Sequence, residues 1–324
     1  MERVFLYEYI TCGSILKVSQ SIAVEGLGMF KSLLNGFEKS FDVNTFIDPS
    51  LPFFLNYPHI PFDYKVFKMN LQFSDYGLLI APETEFILYD LTKFIEKSGC
   101  ANLGSSSKAV YDATDKYATY KKIKDLSPRT HVFNGTTKLN FPLIAKPRDG
   151  VSGEGVCLIN DAKSLSNIPN NYLLQEYVKG ADMSASLLIG DNINLLSVNT
   201  QENDNFNYCG AKLPVEGIDT EIIFDCVSRI KGLFGYVGVD FILGEELKII
   251  EINPRPTTPI IALNYASGIN ISEVIVDNYY SESIPDFTPK KTFLSKVLGA
   301  HPNSYISFRG YSILIRDLNE DINL

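Results

Sequence analysis

Residues 141–155 read FPLIAKPRDGVSGEG: an apolar run carrying Lys146 near its end, then a loop with Gly150, Gly153 and Gly155. A second apolar run, VCLI (156–159), follows at once, so the stretch reads as strand, loop, strand. Glycines let a backbone close over a ligand and turn its N–H groups toward phosphate oxygens. Lys146 would set an ammonium beside the same phosphates. The spacing is not GxxxxGKS/T and no helix follows, so neither the P-loop nor the dinucleotide-binding rule applies. A plain glycine-rich hairpin turn is the competing reading, although a hairpin needs one or two glycines rather than three behind a lysine.

Downstream, VGVDFIL (237–243) and LKIIEINPR (247–255) read as two strands joined by the Gly-Glu-Glu turn. Glu251 and Asn253 lie two apart on a strand and so leave the same face. In a hairpin Asp240 joins them. Two carboxylates and an amide oxygen are hard ligands suited to Mg²⁺ (or Mn²⁺) held between protein and nucleotide phosphates. A solvated acidic edge is the alternative, and the apolar surroundings speak against it because unpaired buried carboxylates are costly. Arg255, two positions on, is placed to bind a substrate carboxylate or to neutralise transition-state charge, unless it only pairs with Glu251. Between these runs, LLQEYVKGADM (173–183) ends a strand at Glu176, Tyr177 and Val178 and breaks at Gly180 before Asp182. Such a strand end could face an adenine edge, with Asp182 on the ribose hydroxyls, or be a simple connection.

Upstream, short apolar runs alternate with helical periodicity. Val4–Ile10 reads as a strand and 18–38 as a helix with Ile22, Met29, Phe30, Leu33, Leu34 and Phe37 on one face. A proline-rich loop spans 49–61, a buried strand Tyr76–Ala81, and a helix Asp90–Lys97. This order predicts a doubly wound α/β domain over 1–107. Beyond a polar link come a polar helix over 112–124, the strands above with two more at 172–178 and 183–190, and a helix over 220–234. That pattern predicts an α+β unit, with a final pair of strands over 284–324. The 324 residues suit two or three domains.

Composition narrows the function classes. Hydrophobic residues make up 45 % and charged residues 21 %, which excludes a disordered chain. Charge is 29 basic against 38 acidic, or −9, which argues against nucleic acid or an anionic membrane as partner. No apolar run approaches the ~20 residues that span a bilayer. Five scattered cysteines and three isolated histidines suggest neither a disulfide framework nor a zinc site. The chain reads as cytoplasmic.

From about Lys108 to Pro259 these motifs resemble the ATP-grasp superfamily. DATDKYATYKKI (112–123) supplies Lys116, similar to that family's first phosphate-binding lysine, and IAKPRDGVSGEG supplies Lys146 with Gly150, Ser152, Gly153 and Gly155. The resemblance implies a hinge at Glu176, Tyr177, Val178 and Asp182 around the adenosine, a further phosphate lysine at Lys212, and magnesium on Asp240, Glu251 and Asn253. Lys146 and Arg255 are then the residues expected to act in catalysis. It also implies a pre-ATP-grasp domain over 1–107, a small subdomain with the glycine loop over 108–179, and a subdomain with the metal site over 180–324. EYITCGS (8–14) and EGLGMFKSLLNGF (25–37) look like the start of archaeal tyramine–glutamate ligases of methanofuran biosynthesis. Gly13, Ser14 and Glu25 would then line the acceptor side, with a helix-capping role for Glu25 as the alternative. The implied activity is ATP-dependent joining of a carboxylate to an amine through an acyl phosphate. Glutamate and tyramine are the small-molecule partners, and a homodimer is the assembly considered. Another acid–amine pair, or an ATP-binding protein without turnover, are the competing functions.

Overall fold

The computed structural model describes residues 1–151, 153–286 and 288–319. β1 (Arg3–Glu8), β2 (Asp42–Asn44), β3 (Tyr76–Ile80) and β4 (Ala101–Asn102) form a sheet in the order β2-β1-β3-β4, every pairing parallel. Parallel strands need crossovers. Helices α1 (Gln20–Phe37), α2 (Tyr64–Gln72) and α3 (Ile87–Ile95) lie in these connections. β3 is buried at every position, which is why its sequence shows a continuous apolar run rather than alternation. Ser19 caps α1 by accepting from the Ile22 amide, so Glu25 sits inside the helix and the capping alternative falls.

The polar helix expected over 112–124 is two helices, α4 (Ser107–Thr114) and α5 (Lys116–Ile123). Asp115 breaks them: its backbone is extended (φ −82°, ψ 96°), and its carboxylate accepts from the Tyr117 amide at 3.0 Å and pairs with Arg148. The break puts Lys116 in the first turn of α5, facing the loop that carries Arg148.

β5 (Thr130–Val132), β6 (Leu143–Lys146), β7 (Cys157–Ile159) and β8 (Leu173–Glu176) form an antiparallel sheet ordered β5-β8-β6-β7 over a small core. β9 (Ala181–Ile189) and β10 (Ile193–Thr200) then begin a second antiparallel sheet. β11 (Glu202–Asp204) and β12 (Asn207–Leu213) begin a third. α6 (Glu221–Ser228) leads back to β13 (Gly235–Leu243) and β14 (Leu247–Asn253), completing the order β10-β9-β13-β14. α6 is shorter than the helix expected to Phe234, because positive-φ glycines at 232 and 235 turn the chain into β13.

After α7 (Ile260–Ser267) and α8 (Ile271–Tyr279), the chain adds β15 (Thr292–Leu298), β16 (Ile306–Phe308) and β17 (Tyr311–Asp317) to β11 and β12, in the order β11-β12-β15-β17-β16. The expected final pair is therefore three strands among the described residues. One hydrophobic core runs from β1, β3 and α1 through α7 and α8 to Leu294 and Ile313 of these last strands. The two ends of the sequence are thus packed together, and α1 reaches the site described next.

Candidate active site

β6 and β7 pair antiparallel, with Leu143 opposite Ile159, so residues 147–156 return as a loop beside the second sheet. A cavity of about 440 Å³ lies between this hairpin and the β13–β14 hairpin, within the range that takes small ligands. Gly150 (φ 136°), Gly153 (φ 74°) and Gly155 (φ 73°) hold conformations that favour glycine. A Cβ on Gly153 would stand 2.2 Å from the carbonyl oxygen of Phe206, so the loop rests on the β11–β12 turn. Ser152 lies outside the described residues.

Across the cavity, Asp240 pairs with Glu251, and the register then shifts so that Phe241 faces Ile249. This bulge turns both Ile250 and Glu251 into the cavity, as bulges commonly do beside functional sites. Asn253 Nδ2 donates to Asp240 Oδ2 at 3.1 Å, and Gln201 Nε2 donates to Asp240 Oδ1 at 2.7 Å. Burial, and then the neighbouring Glu251 charge, push the Asp240 carboxyl up to about 7. Two carboxylates forced together with an amide fit a hard divalent cation such as Mg²⁺. Among the described residues no cluster of three or more His, Cys, Asp or Glu offers a metal site; this set has two carboxylates, with an amide as its third donor.

The two lysines meet these acids from the other side. Lys116 Nζ lies 3.0 Å from Glu251 Oε1 and donates to the Gly150 carbonyl at 2.7 Å, tying α5, the glycine loop and β14 together. Lys146 Nζ donates to Gln175 Oε1 at 3.0 Å, and Gln175 in turn donates to Thr130 Oγ1. Burial lowers the Lys146 ammonium to about 8, against the opposing pull of Glu251.

Arg255 also lines the cavity, but its partner is not Glu251. Its Nη2 lies 2.8 Å from Oε2 of Glu83, a buried residue in the loop after β3. Of the hinge residues, Tyr177, Val178 and Asp182 line the cavity, and Asp182 accepts from Asn203 Nδ2 at 3.1 Å. Glu176 does not reach it: its carboxylate turns outward to Arg129, beside Pro142 and Lys248. Lys212 does not either, lying 3.1 Å from Glu202 with its side chain half exposed. Glu25 does line the cavity, and its carboxylate accepts from Thr258 Oγ1 at 2.7 Å and pairs with Lys296. Gly13 and Ser14 are not brought to it; Gly13 (φ 144°) packs against Phe62 and Ser14 is buried in the turn after β1.

Glu83, Gln201, Tyr208 and Thr258 were not singled out from sequence. Only Glu83 carried a usable signal, as a polar residue just past the carboxyl end of a parallel strand, where open α/β sheets bind their ligands.

Comparison with known proteins agrees with this geometry. The ATP-grasp domain family matches residues 113–259, and the pre ATP-grasp 3 domain matches 61–110. The tyramine–L-glutamate ligase of Methanocaldococcus fervens is 38 % identical over 214 residues, covering 65 % of this chain and 68 % of that protein. A crystal structure described as an ATP-grasp superfamily protein from Archaeoglobus fulgidus superposes with a TM-score of 0.84 at 33 % identity, over 98 % of this chain and 100 % of that one. N5-carboxyaminoimidazole synthetase from Staphylococcus aureus, solved with ADP, shares the fold (TM-score 0.75, 17 % identity, 99 % of this chain and 95 % of that one). The chain belongs to the ATP-grasp superfamily, as an ATP-dependent ligase that forms carbon–nitrogen bonds.

Proposed function

We propose that this ligase joins the side-chain carboxylate of L-glutamate to tyramine, converting ATP to ADP and phosphate. One observation carries the reading: Tyr177, Val178, Lys146, Lys116, Asp240, Glu251, Arg255, Thr258 and Glu25 all line a single cavity. That set offers strand-end groups for adenine, cations and carboxylates for a metal-bound triphosphate, and Arg255 for an acceptor acid. The similarity to a tyramine–L-glutamate ligase supports the choice of acid and amine.

In this reading a carboxylate oxygen of the acid attacks the γ-phosphorus, and the bond to the ADP oxygen breaks. The free amine then attacks the acyl carbon, phosphate leaves with the acyl C–O bond, and the amine proton passes to phosphate or solvent. Asp240, Glu251 and Asn253 would hold a divalent cation, whose charge offsets that of the triphosphate. Lys146 and Lys116 neutralise phosphate oxygens, and Arg255 orients the acid and meets the charge that develops during transfer. The 148–155 loop, resting on the β11–β12 turn through Gly153, excludes water that would hydrolyse an acyl phosphate. Methanofuran biosynthesis in the cytoplasm is the setting this reading implies. No helix among the described residues is long and apolar enough to cross a membrane.

Purified protein mixed with ATP, Mg²⁺, glutamate and tyramine should release ADP and yield a product of glutamyl-tyramine mass. ADP release with other acid–amine pairs alone would reassign the substrates. ATP binding without turnover across a broad panel would leave a non-catalytic protein.

A further inference from the structure

Glu25 of α1 lines the cavity and forms an ion pair with Lys296 of β15, the two side chains being only 9 % and 8 % exposed. Thr258 Oγ1 holds the second carboxylate oxygen at 2.7 Å. Tyr208 of β12 lines the same cavity, its ring centre 5.8 Å from the Lys296 ammonium. The Tyr208 hydroxyl is buried and has no hydrogen-bond partner among the described residues.

Counting donors and acceptors shows what this group lacks. An ammonium has three N–H donors, and Lys296 uses one on Glu25. Each carboxylate oxygen of Glu25 keeps lone-pair capacity beyond its single bond. With the Tyr208 hydroxyl, the corner offers unused donors next to unused acceptors, and buried polar groups left unpaired are costly. Its summed charge is zero. A ligand with one sign of charge would face an unmatched like charge there, whereas one bearing both signs on neighbouring atoms would meet an opposite charge at each.

We propose that Glu25, Lys296 and Tyr208 form the subsite for a zwitterionic α-amino acid. Glu25 takes the α-ammonium, and Lys296 with the Tyr208 hydroxyl takes the α-carboxylate. The side-chain carboxylate is then the one left free to lie toward Arg255. This rests on reading the chain as a ligase of an amino acid, and adds which residues recognise the backbone of that acid.

The test is calorimetric binding to the full chain, with a non-hydrolysable ATP analogue and Mg²⁺, and again without nucleotide. The probes are L-glutamate, glutarate (no ammonium) and 4-aminobutanoate (no α-carboxylate). Wild type should prefer glutamate to both analogues. Lys296→Met and Glu25→Gln should each weaken glutamate at least 30-fold, and Tyr208→Phe about tenfold. Lys296→Met should erase the preference over 4-aminobutanoate, and Glu25→Gln the preference over glutarate. The double variant Glu25→Gln/Lys296→Met removes both buried charges together, and its melting midpoint guards against reading misfolding as lost binding. If Lys296→Met lowers that midpoint but binds glutamate like wild type, the pair is only a structural bridge and the proposal falls. Nucleotide binding and ligation without α-amino acid recognition would sink this subsite and leave the ligase. Glutamate binding through these residues with no ligation to tyramine would do the reverse, removing the substrate pairing proposed above.

Discussion

Lys146→Met should make the unliganded protein more stable and the nucleotide-bound protein less so. Lys146 is 5 % exposed, and burial brings its ammonium from the usual 10.5 to about 8. At ~1.4 kcal/mol per pH unit, keeping it charged at neutral pH costs about 3 kcal/mol of folding free energy. Methionine keeps the unbranched shape without the charge. Two losses offset the gain. Gln175 Oε1 loses its 3.0 Å donor, worth roughly 1 kcal/mol. Asp240 and Glu251 lose a nearby cation, but Asp240, already pushed up to about 7, takes up a proton instead. The net expectation is a gain of about 1–2 kcal/mol. Over 324 residues, at ~2.1 cal/mol/K per residue, that is a rise of about 2–3 °C in the melting midpoint.

Scanning calorimetry at pH 7 checks the first half. The sign also fixes a pH window. Between about 8 and 10.5 the native chain binds fewer protons at Lys146 than the unfolded chain, so wild-type stability rises with pH there. The variant's advantage should be full below pH 8 and gone above 10.5. The second half uses ligand linkage, by which ATP at a hundredfold its Kd adds about 2.7 kcal/mol to the wild type. With ATP and Mg²⁺ at that level the order of the two midpoints should invert. A variant that melts below wild type without nucleotide refutes the dominance of desolvation at this lysine. An equal nucleotide shift in both proteins refutes the placing of Lys146 on the phosphates.

Glu251→Ala should lower turnover by at least a hundredfold, read as ADP release, since it removes a carboxylate from the proposed cation site and the 3.0 Å partner of Lys116. Gly153→Ala meets both an unfavourable φ of 74° and the Phe206 carbonyl at 2.2 Å; kcat/KM should fall at least tenfold while the melting midpoint moves by no more than about 2 °C. ATP affinity in the wild type should weaken as pH rises past about 8, where Lys146 loses its proton, and a flat Kd between pH 7 and 9.5 would contradict that assignment.

What could be read from sequence was what local spacing encodes. The β6–loop–β7 and β13–β14 hairpins each lie within about twenty residues of chain, so strand parity and turn chemistry were enough to set Lys146 before the glycines in one and to group Asp240, Glu251 and Asn253 in the other, while the meeting of the two hairpins was implied only by the family resemblance. The bulge at Ile250 was not visible, because it is a property of the pairing. Glu83 meets Arg255 across 172 residues and Lys296 meets Glu25 across 271, separations over which one sequence carries no pairing signal. Glu176 failed for a smaller reason. Adjacent strand residues face opposite ways, and Gln175 is the one that reaches Lys146. β10 and β12 went unread because polar residues such as Asn194, Ser197 and Asn199 interrupt the apolar pattern. Two of these are paired inside the fold, since Ser197 donates to Asn199 and Asn199 to Ser184 of β9.

The total of −9 does not describe the cavity. Among its ionisable groups Lys116 pairs with Glu251, Arg255 with Glu83 and Glu25 with Lys296, while Lys146 lies within the field of Glu251 and Asp240. Such pairing is what allows these ionisable groups to be buried before any ligand arrives, because each unpaired charge would cost several kcal/mol. The net charge of the chain repels a polyphosphate only over about 8 Å at physiological salt. Burial and the Glu251 charge raise the Asp240 carboxyl to about 7, and Lys116 and Arg255 are each tied to a carboxylate that a ligand's own charges can replace. Binding therefore exchanges one set of ion pairs for another instead of creating charge pairs from bare ions. For that reason, removing a single partner should disturb nucleotide binding more than any change in the net charge of the chain.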